Sequence, residues 1–231
     1  MLTPTPLLPL WSTPIGVHRH AQADSVNGLL VRVFQSMRAT DAQADPKAAF
    51  YASRDDLLQR IRLPEWEGLV RFIVDSLRQT VVLANQGAWP EATPGLQIAL
   101  RGIWFQISNH GAHHDVHTHG NCSWSGVYCA QVDADAARRA HPVLGAANGL
   151  TRFYGPHFNQ LGGATMDFGN AYLQSAHLDV APLPGQLVVF PSWLAHQALP
   201  YAGETDRVIV SFNASVHAAG GNDQLHAYAR T

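Results

Sequence analysis

Thirteen histidines are spread over the 231 residues, and four of them crowd into His113-His114-Asp115-Val116-His117-Thr118-His119. Five of the seven side chains in that stretch can bind a metal. Each imidazole carries a polar nitrogen that needs a partner when buried, so a stretch this dense in them belongs at a surface or round an ion. In an extended segment alternate side chains share a face, so His117 and His119 can converge on one ion while Thr118 turns away. A third imidazole from a distant strand would leave open positions for substrate and oxygen, although the commoner facial set is two histidines and a carboxylate. His196, in Phe190-Pro191-Ser192-Trp193-Leu194-Ala195-His196, is the candidate, because it follows a buried-looking strand and an aromatic turn. The upstream pair His113-x-Asp115 is the alternative clamp.

Composition narrows the partners of such a site. An apolar share of 46% suits one large core, and a net charge of -2 gives no electrostatic reason to expect nucleic acid or anionic lipid. A small molecule is the expected partner. Lys47 is the single lysine, so an arginine at a functional position carries little information by itself. Cys122 and Cys129 lie an odd number of positions apart, seven, in or beside one strand, so they should point to different faces and are expected to be unbridged. Met1 to Gly16 has prolines through its apolar part and no basic start, and no run reaches the ~20 apolar residues of a membrane helix. The expectation is a soluble cytoplasmic protein with no membrane partner; oligomeric state is not legible.

The elements that must position the histidines change character along the chain. Pro4, Pro6, Pro9 and Pro14 favour an extended arm over residues 1 to 23. Leu29, Leu30, Val33, Phe34 and Met37 recur at helical spacing, with Asp24 or Ser25 available as N-cap. A second helix is expected from Pro64 to about Asn85, where Trp66, Leu69, Val70, Ile73, Leu77 and Val81 form one apolar stripe. After the turn-rich Gly87 to Gly95 the chain reads as short strands: Leu96 to Ser108, Ser123 to Val132, Leu150 to Tyr154, Asn170 to Ser175, Gln186 to Pro191 and Arg207 to Ala214. Helices first and strands afterwards predict a mainly β fold with helices packed on one outer face. Residues 1–95 form the arm and helices, 96–216 the β core and 217–231 a loosely held tail, all within one structural domain.

Four motifs in order resemble a family: His117-Thr118-His119, then Ser125-Gly126-Val127-Tyr128, then Gly185 through Phe190-Pro191-Ser192-Trp193-Leu194-Ala195-His196, then Arg207 through Ser211-Phe212-Asn213. They are similar to the iron(II)- and 2-oxoglutarate-dependent oxygenases of the double-stranded β-helix (jelly-roll) fold, over about residues 96 to 214. The resemblance implies that His117, His119 and His196 hold iron(II) and that Arg207 pairs with the distal carboxylate of 2-oxoglutarate, with Ser125 and Tyr128 as lesser helpers at the cosubstrate. A planar guanidinium suits that second task, because it can grip both oxygens of a carboxylate. It also implies a dioxygenase that hydroxylates a C-H bond of a small or amino-acid-like molecule and forms succinate and CO2 from 2-oxoglutarate and O2. Were His119 to swing away from the metal, a second position would open and halogen transfer would become conceivable.

Two features depart from the family pattern. The better-known pair is His-x-Asp, which His113-x-Asp115 matches literally, although the distance from His117 and His119 to Ser125-Gly126-Val127-Tyr128 fits better. Ile209 stands where a serine is common two residues after the arginine, and Ser211 shares the face of Arg207 only farther along the strand. Trp104, Trp124 and Trp193 are candidate pocket residues, with the core as their other destination. A cupin is the alternative enzyme: Gly111 and His117-x-His119 fit the opening of its signature, but the required glutamate is missing, Trp193 replaces a glycine, and Arg207 has no task. A non-catalytic metal-binding module, with Cys122 near the histidines, is the third reading.

Overall fold

The change of period near residue 96 is also a change of architecture in the computed structural model, which describes residues 12–86, 95–155 and 177–218. Before it lie the two long helices. The first, α1 (Ala23–Thr40), buries Val26, Leu30, Val31 and Phe34, the three-and-four spacing of one helical face. Its N-cap is Gln22, without a side-chain cap bond; Ser25 Oγ instead donates back to the Gln22 carbonyl at 2.9 Å. The short α2 (Leu57–Arg60) leads to α3 (Pro64–Ala84), which has its proline in the first turn and buries Trp66, Leu69, Ile73, Leu77 and Val81.

Ten strands among the described residues form two antiparallel sheets. The larger runs in the order β1 (Gly16–Arg19), β8 (Gln186–Pro191), β5 (Trp124–Gln131), β10 (Arg207–Ala218), β3 (Leu96–Ser108), β2 (Phe50–Ala52). The smaller runs β4 (Ala112–His117), β9 (His196–Tyr201), β6 (Thr151–Tyr154), β7 (His177–Val180). The fold is mainly β, a double-stranded β-helix. The described end of the proline-rich arm is β1, an edge strand paired to β8 with Gly16 opposite Val189. Pro4, Pro6, Pro9, the expected strand Asn170 to Ser175 and the tail beyond His217 lie outside the described residues, apart from Ala218 at the end of β10.

Strand alternation gives the larger sheet two different faces. Ile103, Phe105 and Ile107 of β3 and Val208, Val210 and Phe212 of β10 join the side chains of α1 and α3 in one core. Burying each such side chain stabilises by roughly 1.5–3 kcal/mol. The intervening residues, Trp104 and Gln106 on β3 and Arg207, Ile209 and Ser211 on β10, line a cavity of about 540 Å³ on the other face. Five strands were not expected as strands from the sequence: β1, which lies in the expected extended arm, and β2, β4, β7 and β9. Few of their residues are buried, so they carry little of the apolar alternation by which strands are recognised.

Candidate metal and cosubstrate site

His117 closes β4 and His196 opens β9, and the two residues are partners across the smaller sheet. The expected extended run stops at His117, two residues short of His119, whose backbone N–H donates to the Ser192 carbonyl at 2.9 Å. Strand pairing thus sets two of the rings and a loop bond sets the third. One nitrogen from each of His117, His119 and His196 lies within 4.8 Å of the others. His113 and Asp115 face outward, their side chains 56% and 97% exposed.

Hydrogen bonds at the far nitrogens orient two of these rings. His196 Nδ1 lies 2.8 Å from the Leu194 carbonyl, and His117 Nδ1 lies 2.7 Å from the Asp115 carbonyl. A neutral imidazole that donates through Nδ1 keeps its Nε2 lone pair for another partner. Nε2 of His119 stands 3.3 Å from Nε2 of His196. Two nitrogens each ~2.1 Å from an ion and at right angles to one another would be ~3.0 Å apart, so this spacing fits a shared metal. Burial, with the other rings adding repulsion, pushes both His119 and His196 down to about 4. Both are neutral at pH 7, the state in which imidazole binds metal.

The same depression makes a prediction for the metal-free protein. Between the free-imidazole value of 6.5 and about 4 the unfolded chain binds more protons than the folded one at these two positions, so stability rises with pH across that window. It should therefore fall as pH drops from 6.5 towards 4, with no contribution from these rings above 6.5. Urea unfolding at a series of pH values checks this: a His196→Gln variant should have a shallower slope than the parent, and an equal slope would contradict it.

Arg207, the first residue of β10, is 4% exposed, yet it has no carboxylate partner among the described residues. Its Nε is buried without a hydrogen bond, and among the described residues the guanidinium makes only a long 3.5 Å approach of Nη2 to Thr151 Oγ1. Burial pushes its guanidinium down from the usual value. A buried, unpaired cation is costly, and it is left in a cavity wall that also holds the three histidines. An anion with two oxygens would satisfy it.

The family described as "Putative 2OG-Fe(II) oxygenase" matches residues 102–213, a span that contains all three histidines and Arg207. Over those residues the chain belongs to the 2OG-Fe(II) oxygenase family. It is an oxidoreductase whose cofactors are iron(II), 2-oxoglutarate and oxygen. No protein of curated function matches it by sequence. Solved structures share the fold at low identity. A prolyl-4-hydroxylase from Pseudomonas putida is 16% identical with a TM-score of 0.51, covering 90% of this chain and 95% of that one. SnoN, a non-heme alpha ketoglutarate dependent epimerase from nogalamycin biosynthesis, gives 8%, 0.58, 90% and 78%. HygX from Streptomyces hygroscopicus, solved with nickel and 2-oxoglutarate bound, gives 12%, 0.51, 88% and 83%.

The two lesser cosubstrate candidates of this 2OG-Fe(II) oxygenase do not line the cavity. Tyr128 pairs with Val210 in the register of β5 and β10, which puts it on the helix-facing side, 0% exposed, where its hydroxyl donates to Asn27 Oδ1 at 2.7 Å. Tyr128→Phe should leave 2-oxoglutarate affinity unchanged but, by stranding the Asn27 carbonyl, cost about 1–3 kcal/mol in a denaturant titration. Ser125 is on the correct face but is 1% exposed, donating to Asn213 Oδ1 at 2.8 Å and lying 2.9 Å from Ser192 Oγ. It supports Asn213, which does line the cavity. Of the three tryptophans only Trp104 reaches the cavity; Trp124 joins the core and Trp193 is exposed. Sequence reasoning missed His114, whose Nδ1 lies 3.0 Å from His117 Nδ1 and whose ring stands edge-on to it. The β4–β9 register is what would have flagged it.

Proposed function

We propose that His117, His119 and His196 hold iron(II), that Arg207 pairs with the distal carboxylate of 2-oxoglutarate, and that the enzyme hydroxylates a C–H bond of a small or amino-acid-like molecule. The observation that carries this reading is the buried, partnerless Arg207 in the cavity that also contains the three converging imidazoles. A three-histidine site without a keto acid would leave that cation unexplained. When bound, iron(II) and 2-oxoglutarate together supply the oxidation that transfers one oxygen atom of O2 to the substrate and the other to succinate, with release of CO2.

The chain's own residues hold and shield. The Leu194 and Asp115 carbonyls fix two ring orientations, and Phe153 and Phe190 pack around His196, their ring centroids 5.8 and 4.6 Å away. Ile209, between Arg207 and Ser211 on the cavity face, would offer an apolar surface to the methylene carbons of 2-oxoglutarate. His114 supports His117. The His117 Nδ1 proton is already held by the Asp115 carbonyl, so replacing His114 by alanine should weaken metal binding by no more than ~10-fold, the low end of the effect of losing a bond that orients a ligand, and competition with a metal-sensing dye measures it.

Titration of the metal-free protein with iron(II) and 2-oxoglutarate under nitrogen tests the whole reading. A visible charge-transfer band that needs both components is expected, followed by succinate on admitting oxygen. A band independent of 2-oxoglutarate, or oxygen consumption without succinate, would sink the proposal. Once a substrate is in hand, labelled oxygen should appear in a hydroxylated product even in excess chloride, because His119 stays beside His196.

A further inference from the structure

Resting on the assignment of Arg207 to 2-oxoglutarate, we infer that the substrate bears a protonated amine, received by the Asp55 carboxylate on the wall of the same cavity. Beyond β2 the chain continues alongside β3. Ser53 N–H donates to the Phe105 carbonyl at 3.0 Å, Phe105 N–H donates to Ser53 Oγ at 3.1 Å, and Ile103 N–H donates to the Asp55 carbonyl at 3.0 Å. The backbone that carries Asp55 is therefore held on both sides of the residue before it. Its carboxyl lies over Gly102: a Cβ there would meet Asp55 Oδ2 at 2.9 Å and Asp55 Cβ at 3.1 Å. Only a residue without a side chain at 102 leaves that carboxyl its place.

The carboxylate has no hydrogen bond or ion pair among the described residues. Two arginines near it in sequence are engaged elsewhere, since Arg54 and Arg60 both approach Asp56, each at 3.5 Å. Asp55 is the one acidic side chain among the described residues that line the cavity, and Arg207 the one arginine. With Arg207 taken by 2-oxoglutarate and the three imidazoles committed to the metal, the charged side chain left for a substrate is a carboxylate.

Trp104 strengthens the case for a cation. It shares the cavity face of β3 with Gly102, two residues or ~7 Å along the strand, and its ring centroid lies 6.3 Å from that of His119. An aromatic face beside a carboxylate suits an ammonium group, which gains from both. Along β3, Trp104 follows Gly102 on the cavity face and its ring stands beside His119, so an amine at Asp55 would lead the rest of a small molecule over the indole towards the metal. A substrate carboxylate would meet repulsion at the same place. Because Asp55 is exposed to solvent, its preference for a cation is screened, and an effect on the order of tenfold is expected rather than a larger one.

The test uses the full-length protein loaded with zinc and 2-oxoglutarate, which binds ligands without turnover, and calorimetry with matched pairs: cyclohexylamine against cyclohexanol, 2-phenylethylamine against 2-phenylethanol, glucosamine against glucose. In at least one pair the amine should bind about tenfold more tightly than the alcohol, and Asp55→Asn should remove that preference while keeping 2-oxoglutarate affinity. Equal binding within every pair, no amine binding at all, or a preference that survives in Asp55→Asn would overturn the inference. Failure of 2-oxoglutarate itself to bind the parent would instead overturn the cosubstrate reading, so the two failures are distinguishable.

Discussion

Replacing His196 by alanine is expected to abolish iron(II) binding and turnover together. His196 is the most buried of the three rings, 5% exposed, and its Nδ1 bond to Leu194 fixes its orientation before any metal arrives. Pre-set orientation is entropy already spent, so losing this ligand should exceed the ~10–100-fold expected for losing a supporting bond. The hole left between Phe153 and Phe190 is apolar and offers no substitute donor. His117→Ala and His119→Ala should also lose metal. Equilibrium dialysis against iron(II) under nitrogen gives the answer. Full metal binding in His117→Ala, with loss in Asp115→Ala, would show that the upstream pair is the real clamp. Metal content as purified is a poor substitute, because imidazoles hold copper, nickel and zinc at least as well as iron(II).

Replacing Arg207 by glutamine should leave metal binding intact and weaken 2-oxoglutarate by roughly 2 to 5 kcal/mol, about 30-fold to several thousandfold. The size follows from burial: a carboxylate that reaches a 4% exposed guanidinium enters a pair little screened by water. The direction of the stability change should be opposite. In the unliganded chain Arg207 is a buried cation with an unsatisfied Nε, so its removal should cost the metal-free fold little or even stabilise it. Calorimetry of 2-oxoglutarate into zinc-loaded protein and urea unfolding of the metal-free protein read the two effects separately. An unchanged 2-oxoglutarate affinity would remove the main support for the cosubstrate site.

Elements that bury a continuous face were legible from the sequence. The stripe from Trp66 to Val81 and the strands Leu96–Ser108 and Gln186–Pro191 carry their period because one side of each lies in the core. The smaller sheet mostly escaped, since β4, β7 and β9 bury little and β4 has irregular register at Ala112 to His117. Tyr128 shows what register adds. Its place beside Ser125-Gly126-Val127 suggested the cosubstrate, but pairing with Val210 puts it on the opposite face from Arg207, and no reading of one strand alone can decide that parity.

For the site itself, the sequence by itself determined which side chains had metal and carboxylate chemistry to offer: the spacing of His117 and His119, the aromatic turn before His196, and an arginine eleven residues on. Those are properties of residue type and local geometry. Tertiary structure alone decided that the three rings converge, with His117 paired to His196 across the smaller sheet and the His119 backbone tied to Ser192. It also decided that Arg207 is buried without a counter-ion while Asp55 lies over Gly102, facing the same cavity. Each of these depends on residues tens of positions apart being brought within a few ångströms, and the strength of a charge or a lone pair there is set by what surrounds it rather than by what precedes it in the chain.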